Sequence, residues 1–291
     1  MKYKSAMLID DDDYGMESIV ARRYCNSLTI FDANKPEWVS RKAYYKRYLK
    51  NDYIGREGAR IYGYGSCSGM GRKVAMLNEG VSVFDPVLAE CLIRLFSEKA
   101  DYIIDPFAGG LCRGFVSAEM RRHYLGVDLN ERQIKYNIER AKRYKIDNLC
   151  KYICGNSLHI DKFVEKDDFD MLLTCPPYFQ LEKYTNKPED LSNYLSYESF
   201  IRDLETIIIK ASKKVKKGKF IVLVVSNFRD KEGYIIDFVG DVIRFMQRHG
   251  YRLYNEGIYI NAYATAHLRA RMIYRTKKLT KVHQNILVFK R

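Results

Sequence analysis

The chain has 291 residues, 47% hydrophobic and 30% charged, which excludes a disordered chain and fits one large α/β domain with an appendage, or two small domains. A formal net charge of +14 favours a polyanionic partner held largely by salt-dependent phosphate contacts. No apolar run is long enough to span a bilayer and no signal peptide is evident, so a cytoplasmic protein with free thiols is expected. None of the 7 cysteines forms C-x-x-C or joins histidine at metal-ligand spacing, so no metal site is expected.

Residues 1–80 read as an amino-terminal extension without sustained periodicity. It holds an acidic cluster at 10–13 and a Gly/Ser-rich loop at 62–71. Between them Arg41, Lys42, Lys46, Arg47, Lys50, Arg56 and Arg60 alternate with Tyr44, Tyr45, Tyr48 and Tyr53. Such interleaving suits nucleic-acid backbone contact with stacking, and equally a solvated helix with tyrosines packed beneath it.

From residue 81 strand and helix signals alternate. Helical spacing covers 87–96, 111–122, 131–144, 197–215 and 235–249; strand patterns cover 102–105, 124–128, 152–154, 169–174, 219–225, 251–260 and 285–290. The alternation implies a mostly parallel sheet with right-handed crossovers. Between the last two strands lies the basic segment Arg269, Arg271, Arg275, Lys277, Lys278 and Lys281, the best local candidate for gripping a nucleic acid. His283 opens the last strand and reads as structural.

Three strand ends carry chemistry. Asp105-Pro106-Phe107-Ala108-Gly109-Gly110 is a strand, an acid and a small-residue turn. Neither a G-x-G-x-x-G nor a Gly-Lys-Ser/Thr pattern is present, and Asp105 would repel a phosphate while attracting a cation. Asp128, at the end of the next strand, has the spacing of an acid that grips ribose hydroxyls; it could also cap the following helix. Ribose, positive centre and no phosphate together describe S-adenosylmethionine. The third end, Thr174-Cys175-Pro176-Pro177-Tyr178, stops its strand with two prolines and offers fixed carbonyls beside a flat ring. That arrangement suits a flipped-out base held by its exocyclic amine; a packed tyrosine after a Pro-Pro turn is the plain alternative.

These segments resemble the DNA amino-methyltransferases of the class I, Rossmann-like fold. Asp105 to Gly110 is similar to their motif I, Asp128-Leu129 to motif II, and Asn156-Ser157 after Cys154-Gly155 to motif III. Cys175-Pro176-Pro177-Tyr178 is similar to the catalytic motif IV. Phe84-Asp85-Pro86 is similar to motif X, which closes over the cofactor's methionine end. The run through Glu182 and Tyr184, with 254–256 and 283–289, looks like a group of phage and mobile-element DNA methylases. The resemblance covers about 81–291. It implies an α/β fold with a mostly parallel sheet and an antiparallel last strand, S-adenosylmethionine as cofactor and DNA as partner. It places cofactor contacts at Phe84, Asp85, Pro86, Asp105, Phe107, Ala108, Gly109, Asp128, Leu129, Asn156 and Ser157. Catalysis falls to Cys175, Pro176, Pro177 and Tyr178.

Two positions depart from the pattern. Motif IV usually opens with Asp, Asn or Ser, and here with Cys175, a weak acceptor. Motif III commonly has an acid where Asn156 stands. A Cys175 nucleophile of the cytosine-C5 type would need the order Pro-Cys and a lowered thiol pKa. Glu182 and Tyr184 could line the base pocket, or belong to an ordinary loop. The expected activity is direct methyl transfer to an exocyclic amine, N6 of adenine or N4 of cytosine, in a bacterial or phage-infected cell. An RNA base methyltransferase and a non-catalytic cofactor-binding subunit are the alternatives.

Overall fold

The computed structural model of the chain describes residues 29–50, 52, 60–61, 83–165, 168–263, 266, 270–271 and 273–291. In chain order come strand β1 (Ile30–Asp32), helix α1 (Pro36–Lys46), β2 (Arg60–Ile61), α2 (Pro86–Phe96), β3 (Tyr102–Asp105), α3 (Cys112–Glu119) and β4 (His123–Asp128). Then follow α4 (Glu131–Arg143), β5 (Cys150–Cys154), β6 (Phe169–Thr174) and the short β7 (Glu182–Lys183). The last part has α5 (Tyr197–Ser212), β8 (Val215–Val225), a small hairpin of β9 (Phe228–Arg229) and β10 (Ile235–Ile236), α6 (Phe238–Arg248), β11 (Arg252–Ile260) and β12 (His283–Lys290).

Eight strands form one sheet in the order β1-β11-β12-β8-β6-β3-β4-β5. Only β12 runs antiparallel to its neighbours, β11 and β8; every other pair in this sheet is parallel. This is a Rossmann-like, mostly parallel sheet with an antiparallel last strand, as expected, carrying one extra edge strand. Period-two alternation sets the layers. Met171, Leu173, Val222, Val224, Ile286 and Val288 face a core shared with α1 to α4. Phe169, Leu172, Ile221, Leu223, Leu287 and Phe289 face a second core under α5 and α6. Both faces are covered, so the central strands are continuously apolar.

The amino-terminal extension behaves differently from its aperiodic sequence. β1 pairs in parallel with the end of β11, and α1 packs Trp38 and Tyr45, both fully buried, into the first core. Residues 29–50 thus share a core with residues beyond 81. Within the basic, tyrosine-rich stretch the helix ends at Lys46; Tyr53 and Arg56 lie outside the described residues, as do the acidic cluster and the Gly/Ser loop.

The helix expected from Ile235 starts three residues later. Asp237 accepts the Gly240 N–H as N-cap, and Ile235 and Ile236 instead pair with Arg229 and Phe228. The helix expected to Arg122 ends at Glu119, because Arg121 takes a left-handed conformation (φ 60°). Among the described residues no helix is long and apolar enough to cross a membrane, and no group of His, Cys, Asp and Glu could hold a metal ion.

Candidate active site

A cavity of about 480 Å³ opens at the carboxyl ends of β3, β4 and β6, where an open α/β sheet offers its ligand site. Thirteen of the residues expected at the site line it: Phe84, Asp85, Phe107, Ala108, Gly109, Asp128, Leu129, Asn156, Ser157, Cys175, Pro176, Pro177 and Tyr178. Glu182 and Tyr184 line it as well. Pro86 does not; it is buried in the first turn of α2, where its missing N–H costs nothing.

Asp105 is not a wall of the cavity. It is fully buried behind it, and its oxygens are taken. Arg113 Nε donates to Oδ2 at 2.5 Å and Tyr124 Oη at 2.7 Å; Thr174 Oγ1 donates to Oδ1 at 2.6 Å and the Phe107 N–H at 3.0 Å. A carboxylate so neutralised does not meet a cationic ligand as the sequence reading expected. It works as a positioning residue, tying the turn after β3 to the end of β6 one residue before Cys175. Arg113 also lies over the Phe84 ring at 4.8 Å, which brings the start of α2 into the same cluster.

The turn after β3 is shaped for close approach. Gly109 takes φ 54°, and its N–H donates to Asp128 Oδ2 at 2.8 Å. Asp128 Oδ1 accepts the Asn130 N–H at 2.9 Å, so it holds the loop and faces the cavity together. The helix cap falls instead to Asn130, whose side chain accepts the Gln133 N–H. At Gly110 a Cβ would fall 2.3 Å from Asp52 Oδ2, so only glycine lets Asp52 sit there. Asn137 donates to the Gly109 carbonyl, and Ser157 to the Pro106 carbonyl at 2.6 Å. Asn156 caps the turn after β5, accepting the Leu158 N–H.

Several contributors went unforeseen. Lys42, from α1, reaches the cavity wall and bonds Asp85 at 2.7 Å. Asp85 also caps α2 and accepts from Trp38 Nε1 and Tyr259 Oη. Asp52 accepts from the Leu111 N–H and from Arg140 at 2.7 Å. No local pattern marks these residues, because their partners lie 43 to 174 residues away.

On the other side stand Cys175 to Tyr178. Burial pushes the Cys175 thiol up to about 12, with Arg113 lowering it and Glu182 and Asp105 raising it further. The shift favours the neutral thiol and gives the nucleophile reading no support. Tyr178 meets Phe228 and Phe238 edge-on at 5.9 Å each, and its hydroxyl accepts from Gln284 Nε2 at 3.3 Å. Its pKa is raised by burial. Tyr184 donates its hydroxyl to Glu182, which is buried. The His283 pKa is lowered by burial and by Lys281, as suits a structural histidine at the start of β12.

The basic segment lies beside this side of the cavity. Arg271, Arg275, Lys277 and Lys278 are exposed, with Tyr274 85% exposed among them; Arg269 lies outside the described residues. Lys278 packs over Gly233 of the β9–β10 hairpin, and Phe228 of the same hairpin touches Tyr178. Lys281 is instead drawn inward, donating to the Asn227 carbonyl, and burial lowers its pKa.

The chain is similar to a methyltransferase from Pyrococcus furiosus at 14% identity, over 87% of this chain and 98% of that one, with a TM-score of 0.48. It is similar to TrmN from Thermus thermophilus at 15% identity, over 72% of this chain and 49% of that one, with a TM-score of 0.48. A TehB-like SAM-dependent methyltransferase from Corynebacterium glutamicum shows 14% identity, 76% and 95% coverage and a TM-score of 0.44. The chain thus spans about half the length of TrmN. No protein-family model matches the chain, and no curated protein matches it.

Proposed function

We propose that the chain is an S-adenosylmethionine-dependent methyltransferase acting on an exocyclic amine of a base in DNA, N6 of adenine or N4 of cytosine. The observation that carries this reading is that the Gly109–Asp128 turn and the Pro176–Tyr178 corner line one cavity. The residues present fit the cofactor. Asp128 faces the cavity as a ribose acceptor, and Gly109 and Gly110 leave backbone room. In this reading Asn156 and Leu129 take the adenine, and Phe84, Asp85 and Lys42 the amino-acid end. When bound, the cofactor supplies an electrophilic methyl group.

The chain's own part is positioning. Tyr178, braced by Phe228 and Phe238, offers its ring to a flipped base. The Pro176 carbonyl accepts from the amine and localises the nitrogen lone pair. Cys175 packs and adds a weak acceptor at most. No covalent enzyme intermediate is involved, and proximity with exclusion of water supplies most of the acceleration. The exposed cations of 271–278 grip phosphates.

The test is methyl transfer from labelled cofactor to unmethylated DNA and to RNA, with mass spectrometry of the nucleosides. N6-methyladenine or N4-methylcytosine in DNA is expected, with Cys175→Ser retaining activity. Methylation of RNA alone would replace the DNA reading. Cofactor binding without transfer to either would favour a non-catalytic subunit.

A further inference from the structure

The amine site described so far has one firm acceptor, the Pro176 carbonyl, and no group able to take up a proton. Direct transfer needs one: a methylated amine is left with a surplus proton and positive charge. Cys175, where a carboxylate, amide or hydroxyl usually stands, remains a thiol and provides neither.

The cavity contains a carboxylate on that side. Glu182 lines it together with Cys175, Pro176 and Tyr178. Its place is fixed by β7, which pairs antiparallel with β2, Glu182 opposite Ile61. Its orientation is fixed by the Tyr184 hydroxyl, which donates to Oε2. Glu182 is only 8% exposed. It is near enough to Cys175 and Tyr178 that its charge raises the pKa of both. Of the other acids lining the cavity, Glu189 is exposed to solvent and Asp52 is bonded to the Leu111 N–H and Arg140. Asp85 holds Lys42, Trp38 and Tyr259. Asp128 holds the loop amides, and Asp190 caps its own turn.

We infer that Glu182 is the second acceptor for the target amine and the group that removes its proton, taking over the work that Cys175 does not do. The inference rests on the amine-methyltransferase reading above. The nitrogen forms its bond to the methyl carbon as the carbon–sulfur bond breaks, sulfur keeping the electron pair. The surplus proton passes from nitrogen to the Glu182 carboxylate and then to water. A fixed negative charge beside the base also stabilises the positive charge developing on it.

The test compares the parent with Glu182→Ala and Glu182→Gln. Transfer kinetics on DNA and RNA are measured alongside calorimetry with the demethylated cofactor. Glu182→Ala should lower kcat by about a hundredfold or more, as loss of a positioned general base does. Glu182→Gln should recover part of the rate, since its amide oxygen accepts a hydrogen bond but takes no proton. Cofactor affinity and the KM for nucleic acid should change little in both. Should Glu182→Ala misfold, Glu182→Gln, which keeps the shape, decides alone. An active parent whose variants retain full kcat would overturn the inference and leave the proposed function standing. So would variants whose cofactor binding falls in step with rate. A parent that binds cofactor and transfers nothing to DNA or RNA would remove both.

Discussion

Residues 41–50 and 271–278 carry cations at similar density, and the fold sends them in opposite directions. In the first, Arg41 forms a two-point ion pair with buried Glu90, at 2.7 and 3.0 Å, and Lys42 pairs with Asp85, both cations half-buried; Lys46, Arg47 and Lys50 are the exposed cations. Tyr44 and Tyr45 point inward, to Glu119 and Glu90. In the second, Arg271, Arg275, Lys277 and Lys278 are all exposed around an exposed tyrosine. The difference lies in the acids available. Asp85 and Glu90 sit on or beside α2, buried where α1 packs, and draw the α1 cations in. The cations of the second segment stay exposed, and their charge is available to a polyanion.

The comparison can be broken experimentally. Trp38→Ala should cost about 3–5 kcal/mol of stability in denaturant unfolding followed by circular dichroism, as emptying a fully buried aromatic site does. A loss under about 1 kcal/mol would mean α1 is an ornament rather than part of the core. Arg41→Ala should cost about 2–3 kcal/mol, somewhat less than a fully buried pair because Arg94 and Tyr45 still serve Glu90. Arg275→Ala should stay within about 0.5 kcal/mol. Equal costs would erase the distinction.

The next effect is on binding. Replacing Arg271, Arg275, Lys277 and Lys278 with alanine should reduce the salt slope of DNA binding by about 3–4, with cofactor affinity unchanged. An unchanged slope would turn this face away from nucleic acid. The gentlest probe is pH. Burial raises the Glu119 pKa in the folded state. Its contribution is therefore fully present below the unfolded value and is lost as pH rises through the folded value. Glu119→Gln should flatten that loss, so its melting temperature should gain on the parent as pH rises above the ordinary glutamate value of about 4. A parallel pH dependence in both proteins would contradict the shift.

The strands were legible because their signals are local. Apolar runs at 102–105 and 169–174 stop at an acid or at Pro-Pro, and the observed strands have those bounds. Helix α1 was legible only as one of two readings of its stretch, because what decides between them is remote: Arg41 meets Glu90 49 residues on, and Tyr44 meets Glu119 75 residues on. The site divides the same way. Asp128 was placed by spacing alone. Asp105 was identified as important but given the wrong neighbours, because Tyr124 and Thr174, 19 and 69 residues away, arrive only in the folded sheet. The hairpin at 228–236 was hidden by two isoleucines that continue the helical pattern of α6.

The three residues of β1 do more than lengthen the sheet. They cover Ile258–Ile260, the apolar end of β11, whose backbone would otherwise offer an open row of donors and acceptors. The rest of that outer edge needs no cover. Arg252, Tyr254, Asn255 and Glu256 are exposed there, and a bulge between Leu253 and Asn255 twists the strand out of register. Charge and irregularity guard one half of the border, and a borrowed strand guards the other. Loss of β1 would uncover a short apolar stretch of β11 edge, three residues long, that the charged half of the border does not share.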